Sequence, residues 1–290
     1  MRSNGRSANW VMMVLLFIPA AGSHISAKDK KFTPEALVAK HLQSIGRPDL
    51  LAKMQSLAFV GATSVRFQQG AHGELSGQGQ FASEERKLAI ILKYDGQDYR
   101  GEHFAFDGKD VTVGRFIPGQ ISILAEFMNR FSGIMKEGLL GGVLSIAWPL
   151  RNLEEIQSRL KYRETKLAGR PMHALEYRAR GGLRDFKILL FFEPETFRHV
   201  RTEYRLHVSA AIGLGPATSI GIEKPDSHYL LSEEFADFKE IDGLTLPQRY
   251  TIGFSSEGQT RTFLAHWTLV AEQWIYNGRI DSAVFKAPEY

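Results

Sequence analysis

The side chains of this chain that could do chemistry are nine histidines, the glutamate doublets Glu154-Glu155 and Glu233-Glu234 and the serines of a glycine-flanked segment, and none of them falls into a reactive pattern. No histidines stand as H-x-H or H-E-x-x-H, the spacings that place two imidazoles on one metal. His199 and His207 are eight residues apart on one predicted strand. At about 3.3 Å per residue that is too far for a shared ion, so both are expected as solvated histidines on a wet face. Gly253-Phe-Ser-Ser-Glu-Gly258 lacks the second glycine of a nucleophile elbow and ends a strand rather than entering a helix. Gly213-Leu-Gly215 is not a dinucleotide loop. Glu154-Glu155 and Glu233-Glu234 are sequence neighbours, so only one member of the second pair can point to the inner side of its strand. A hydrolytic carboxylate pair would have to be assembled by the fold. No catalytic residue, metal ligand or cofactor site is assigned.

Composition narrows the classes further. The 290 residues are 43% hydrophobic and 23% charged, as in an ordinary globular protein. Cysteine is absent, which excludes disulfides, thiol catalysis, Cys-ligated zinc and a lipid-acceptor cysteine. The formal charge is +4, from 36 basic and 32 acidic residues. Without Arg2 and Arg6 it falls to +2, too weak to point to nucleic acid even with Arg201 and Arg205 beside Tyr204.

Residues 1–27 read as a secretory signal peptide. Arg2 and Arg6 precede the apolar run Trp10–Ile18, and small residues follow, with cleavage expected after Gly22 or Ala27. The run is shorter than the roughly 20 residues of a membrane span. The expected product is exported to the periplasm and carries no lipid anchor. Residues 28–32 form a charged linker, and 33–290 are expected as one domain.

That domain opens on a helix signal: a capping Thr33, Pro34 at the first helical position and Glu35 at the positive end of the dipole. The helix should end at Gly46, with a shorter turn over 48–54. The pattern then alternates with period two through 59–67, 88–94 and 111–113, and again in most segments after Arg159, with turns at Asp107-Gly108, Gly169-Arg170-Pro171, 193–196 and Asp242-Gly243. On the strand 197–208, Val200, Thr202, Tyr204, Leu206 and Val208 are expected on the covered face, with the histidines, arginines and Glu203 on the wet one. Residues 210–226 read as a long loop. In the last strand Phe263, Ala265, Trp267, Leu269 and Ala271 share a face.

Between the two sets of strands the period changes to that of a helix. Leu124, Phe127, Met128, Phe131, Ile134 and Met135 recur on one side of 121–135. The run Gly138–Trp148 is apolar all round and must be covered by protein or by a ligand. The sum is an α+β, mainly β chain: nine to eleven strands in a single strongly curved antiparallel sheet, a half-barrel, with two or three helices covering its concave face. An amphipathic stripe alone does not separate a core plug from a ligand wall, so both readings of the insertion stand. On the second, Leu124, Phe127, Met128 and Phe131 form a lid or cavity wall, and Phe263 and Trp267 form the sheet side.

Several segments carry a family resemblance: the helix 33–46 leading to a first strand, Phe104-Ala-Phe-Asp-Gly108, the strand pair around Glu193-Pro-Glu-Thr196, and Phe235-Ala-Asp-Phe-Lys-Glu-Ile-Asp-Gly-Leu-Thr-Leu-Pro247. On these the chain resembles the outer-membrane lipoprotein-sorting (LolA/LolB-like) family, in a longer bacterial branch, over most of 33–285. The resemblance implies a half-barrel with a helical lid over a hydrophobic cavity for acyl chains of a lipid or lipoprotein. It also implies a non-enzymatic role in transport across the cell envelope, with an inner- or outer-membrane protein as a second partner. The alternatives are an envelope scaffold or regulator that binds a protein, and an exported hydrolase. The insertion 121–150 and the loop 210–226 are larger than a minimal carrier needs, so another envelope lipid fits as well as a lipoprotein.

Overall fold

The structure is a computed structural model that describes residues 32–208, 226–258 and 262–288; the leader 1–27 and the loop 210–226, except Asp226, lie outside these. Twelve strands form one antiparallel sheet: β1 (Ser56–Gln69), β2 (Gly73–Glu84), β3 (Lys87–Tyr94), β4 (Gly101–Phe106), β5 (Val111–Gly114), β6 (Leu160–Leu167), β7 (Arg170–Tyr177), β8 (Lys187–Phe192), β9 (His199–Val208), β10 (Ser227–Ile241), β11 (Leu244–Glu257) and β12 (Thr262–Tyr276). Among the described residues five α-helical segments accompany them: α1 (Pro34–Ile45), α2 (Pro48–Lys53), α3 (Ile123–Arg130) and two single turns, α4 (Gly133–Lys136) and α5 (Leu153–Ile156). The expected fold class holds, with a curved half-barrel sheet and the longer helices on its concave face.

The strand order, β5-β4-β3-β2-β1-β12-β11-β10-β9-β8-β7-β6, explains the central insertion. The chain meanders outward from β1 to one edge at β5, then resumes at the opposite edge with β6 and meanders back until β12 pairs with β1. Residues 115–159 must therefore cross the whole sheet. Eleven strand spacings of about 4.8 Å make a path on the order of 50 Å along a flat sheet. A crossing segment that lies on the concave face has to be apolar towards the strands, which is why this part of the sequence is so greasy.

α1 starts as expected: the Thr33 hydroxyl accepts the Ala36 N–H, and Leu37, Val38, His41 and Ile45 are buried. The turns at Asp242-Gly243 and Ala168-Gly169 each place two successive residues at positive φ, the geometry of a two-residue hairpin. The latter turn lies one residue earlier than the sequence suggests. One strand, β2, escapes the sequence pattern. Its first half, Gly-Glu-Leu-Ser-Gly-Gln, is exposed or half-buried and carries little apolar alternation, yet it is registered residue for residue against β1. The sheet bends at irregularities. Between β1 and β12 the register slips at Val60/Gly61, where a Cβ on Gly61 would sit 1.9 Å from the Val270 carbonyl oxygen.

Strand β9 corrects an expectation. Phe192 pairs with His199 but Phe191 pairs with Arg201, so Val200 is an extra residue. This bulge reverses the alternation below it and turns His199 into the concave core, buried rather than solvated. His207 does stay exposed. Glu203 is not solvated either: it is clamped on the convex side between Arg201 and Arg205, which donate to its two oxygens at 2.8 and 2.7 Å.

Candidate binding site on the concave face

The insertion enters the concave face at Ser122. The Ser122 hydroxyl caps α3 by accepting the Ala125 N–H at 2.9 Å and donates to Glu102 of β4 at 2.5 Å. Glu102 also accepts the Tyr99 hydroxyl at 2.8 Å, and Tyr99 in turn accepts the indole N–H of Trp267 at 2.6 Å. The carboxyl is 1% exposed, and burial pushes its pKa up to about 7 against the pull of its two hydroxyl donors.

A second buried carboxylate holds the middle of the insertion. Glu233 of β10, the inward member of its doublet, is fully buried and accepts the backbone N–H of Gly141 and the hydroxyls of Tyr250 and Tyr204 at 2.6, 2.6 and 2.7 Å. Tyr204 stands opposite Leu231 and Tyr250 opposite Phe235, so the hydroxyls arrive from the two diagonal positions that flank Glu233. Burial raises its pKa to about 7 as well. A third link is ionic. Glu137 accepts from Arg159 at 2.7 Å, from the Tyr177 hydroxyl at 2.9 Å and from the Arg180 N–H at 3.0 Å; these donors outweigh its partial burial and hold the carboxyl below its usual range.

Further on, Trp148 donates its indole N–H to Nε2 of His41 at 3.3 Å and stacks on His199, tying the end of the insertion to α1 and β9. Burial lowers the His41 pKa to about 4 and that of His199 well below its usual value, so both rings are neutral at pH 7.

Between the first two links, α3 rests on the sheet through side chains alone. Leu124, Phe127 and Met128 are buried under it, and Phe131 is half-buried where the helix breaks before α4. Phe127 lies within 4.9 Å of the rings of Phe131 and Phe254 and within 6.1 Å of Phe186. Phe254 continues the seam to Phe263 at 6.2 Å. Leu124, Phe263 and Trp267 come together in one groove of about 540 Å³ at the end of the β1–β2 hairpin, whose other walls include Phe67, Tyr99, Ile121 and Ile123. Phe127 and Phe131 sit deeper along the same aromatic seam, and Met128 is in the core beside them. Ile121 and Ile123 are 40% and 45% exposed at the mouth of this groove.

The concave face is thus occupied by the chain's own insertion, and the groove opens at its end. The carboxylate links escaped the sequence reading. The only signal of the two buried ones was an acidic residue among apolar neighbours in a strand, and the insertion residues they hold, Ser122 and Gly141, are 20 and 92 residues away. Among the described residues no group of three His, Asp or Glu could hold a metal ion, and no helix is long and apolar enough to cross a membrane.

The fold and site together define an open antiparallel half-barrel whose concave face is crossed by a tethered helical insertion. No family model and no curated protein matches the sequence. Among solved structures, the chain is similar to a LolA superfamily protein from Nitrosomonas europaea, at 15% identity and a TM-score of 0.43, with 88% of this chain and 97% of that one covered. MucB in complex with periplasmic MucA aligns at 9% identity and a TM-score of 0.20, over 81% of this chain and 92% of that one. The ywiB protein of Bacillus subtilis aligns at 8% identity and a TM-score of 0.18, over 76% and 93%. None of these likenesses assigns a function.

Proposed function

We propose that this chain is an exported, non-enzymatic periplasmic binding protein that carries acyl chains of a lipid or lipoprotein on its concave face. On this reading residues 1–27 direct export and are removed, and 33–290 act as one domain. The observation that carries it is the groove at Leu124, Phe263 and Trp267, which continues as a seam of aromatic rings beneath α3. Its volume of about 540 Å³ lies within the usual range for small-molecule sites. An acyl chain entering at Ile121 and Ile123 would replace the apolar face of α3 against the same rings.

The magnitudes suit such an exchange. Ten methylenes give about 8 kcal/mol of gross driving force, before the costs of association. Undocking Leu124, Phe127 and Met128 opposes this with about 1.5–3 kcal/mol per side chain exposed. Cargo and lid therefore compete for one surface, and redocking of α3 expels the cargo once an acceptor offers a better site.

A second reading has its own support. The concave interior is filled, while Val60, Val270 and Ile275 stand exposed on the neighbouring strands β1 and β12. That is the arrangement of a scaffold whose outer face meets a protein. The two readings separate in one experiment. The mature protein, stripped of lipid, is titrated with an environment-sensitive fluorescent fatty acid. Saturable binding displaced by unlabelled fatty acid is the expected result. No binding, together with no lipid in mass spectra of the natively purified protein, would sink the carrier reading.

A further inference from the structure

At the other end of the insertion from that mouth, two cavities meet. One, of about 780 Å³, runs between the hairpin loop at Arg86, the segment 133–159 and the end of β7; the other, of about 550 Å³, lies between α1, α2 and the same insertion. They share two residues, Ile146 and Arg151. Their linings differ in kind. The second is apolar, with Leu42, Leu51, Ala52 and Met54 on its walls. The first is cationic, with Arg86, Lys136, Arg151, Arg159 and Arg180 against the two carboxylates Glu137 and Glu155.

Arg151 stands at the junction in an unusual state. It is half-buried, and its guanidinium donates to the backbone carbonyls of Ile146 and Leu51, with no carboxylate paired to it among the described residues. A cation withdrawn from water without a counter-charge is costly, and burial already weakens its hold on the proton. Of the other four cations, Arg159 is matched by Glu137, whereas Arg86, Lys136 and Arg180 are exposed with no ion pair among the described residues. The groove therefore presents uncompensated positive charge around one half-buried guanidinium, and an apolar trough begins at that same guanidinium.

We propose that this double cavity binds an anionic phospholipid, with the phosphate in the cationic groove at Arg151 and the hydrocarbon in the trough between α1 and α2. Charge complementarity selects an anion, and an arginine fork suits the paired oxygens of a phosphodiester. The contiguous apolar wall selects an amphiphile over a free ion. This site shares no residue with the groove at Ile123 and Trp267 and stands whether or not that groove carries acyl chains.

The test is isothermal titration of the mature protein with dihexanoylphosphatidylglycerol below its micellar concentration, beside glycerol 1-phosphate, dihexanoylglycerol and dihexanoylphosphatidylcholine. The anionic lipid should bind at least tenfold more tightly than each of the others, and its affinity should fall several-fold between low and high salt. The triple variant R86Q/K136Q/R180Q changes only exposed residues and should weaken binding at least tenfold, while fatty-acid binding at the Ile123 mouth stays as it was. R151Q should weaken it further, provided that its melting transition shows a folded protein. Equal binding of the uncharged lipid, equal binding of glycerol phosphate, or full affinity in the triple variant would each overturn the proposal.

Discussion

The Glu233 carboxylate accepts the backbone N–H of Gly141 at 2.6 Å, joining the middle of the crossing segment to the floor of the sheet across 92 positions of sequence. The contact needs a backbone that comes very close to the strands. Gly141 and Gly142 have φ of +84° and +48°, and Cβ atoms there would meet Phe81 at 2.8 Å and Phe235 at 2.7 Å. The two glycines at 141 and 142 are what let a polar N–H reach a buried acid through an otherwise apolar layer.

Gly141→Ala should accordingly cost more than its backbone conformation alone. Gly169 supplies the control. Its φ is +81°, but a Cβ there meets nothing within 4 Å. Urea unfolding should show G169A destabilised by about 1 kcal/mol, the conformational share, and G141A by roughly 2–4 kcal/mol, since Phe81 or the backbone of the insertion must move. Equal costs in the two variants would mean that the approach to the sheet is not tight.

Glu102 and Glu233 make the attachment of the insertion depend on pH, and the sign follows from their raised pKa values of about 7. An unfolded glutamate ionises near 4.5. Between 4.5 and 7 the folded protein holds protons that the unfolded chain releases, so the stabilisation is full below 4.5 and is lost as pH rises through 7. His41 acts in the opposite sense. With a folded pKa of about 4, it costs stability as pH falls from 6.5 towards 4. The difference between wild type and E102Q/E233Q isolates the glutamates: the melting temperature of wild type relative to the variant should decline from pH 4.5 to 7.5. A constant difference across that range would show that both carboxyls are already ionised.

What was legible in the sequence follows from how local each cause is. Capping at Thr33, the hairpin at Asp242-Gly243 and the shared face of Phe263, Trp267 and Leu269 depend on neighbours in the chain, and they appear in the structure where the sequence puts them. The inward turn of His199 depends on one extra residue opposite β8, which alternation within β9 cannot register. Likewise the helical spacing of 121–135 identifies the buried side but not the break at Phe131, after which Ile134 and Met135 continue on a separate turn. Of the candidate wall residues, Leu124, Phe263 and Trp267 meet in the groove although Leu124 lies far from β12 in sequence, a relation set by the edge-to-edge crossing.

The convex face offers a prediction independent of the insertion. Ala58, Ala82, Ala89 and Ala105 stand directly opposite one another on β1, β2, β3 and β4, a row of methyl groups across the outside of the sheet. Phe285 and Ala287 of the C-terminal segment lie on that row, and the Ala287 N–H is accepted by the Thr112 hydroxyl on the next strand. Phe285→Ala should cost about 3–5 kcal/mol in urea unfolding, as for other buried rings. Ala89→Leu, which would lift the segment, should cost roughly 1–3 kcal/mol. Fatty-acid affinity should be unchanged in both, because the row faces away from α3.

The mouth of the groove tests the carrier reading at single residues. Ile121 and Ile123 are the most exposed large apolar side chains of the insertion, and they precede Leu124, which is buried. Solvated positions tolerate a charge, so I121E and I123E should unfold within about 0.5 kcal/mol of wild type. An entering hydrocarbon, however, would have to pass or cover the new carboxylate, and desolvating it is costly. Fluorescent fatty-acid affinity should therefore fall at least tenfold in the double variant, and I121L/I123L should restore it. If the double glutamate variant binds as tightly as wild type, acyl chains do not enter here, and the exposed isoleucines belong to a protein contact instead.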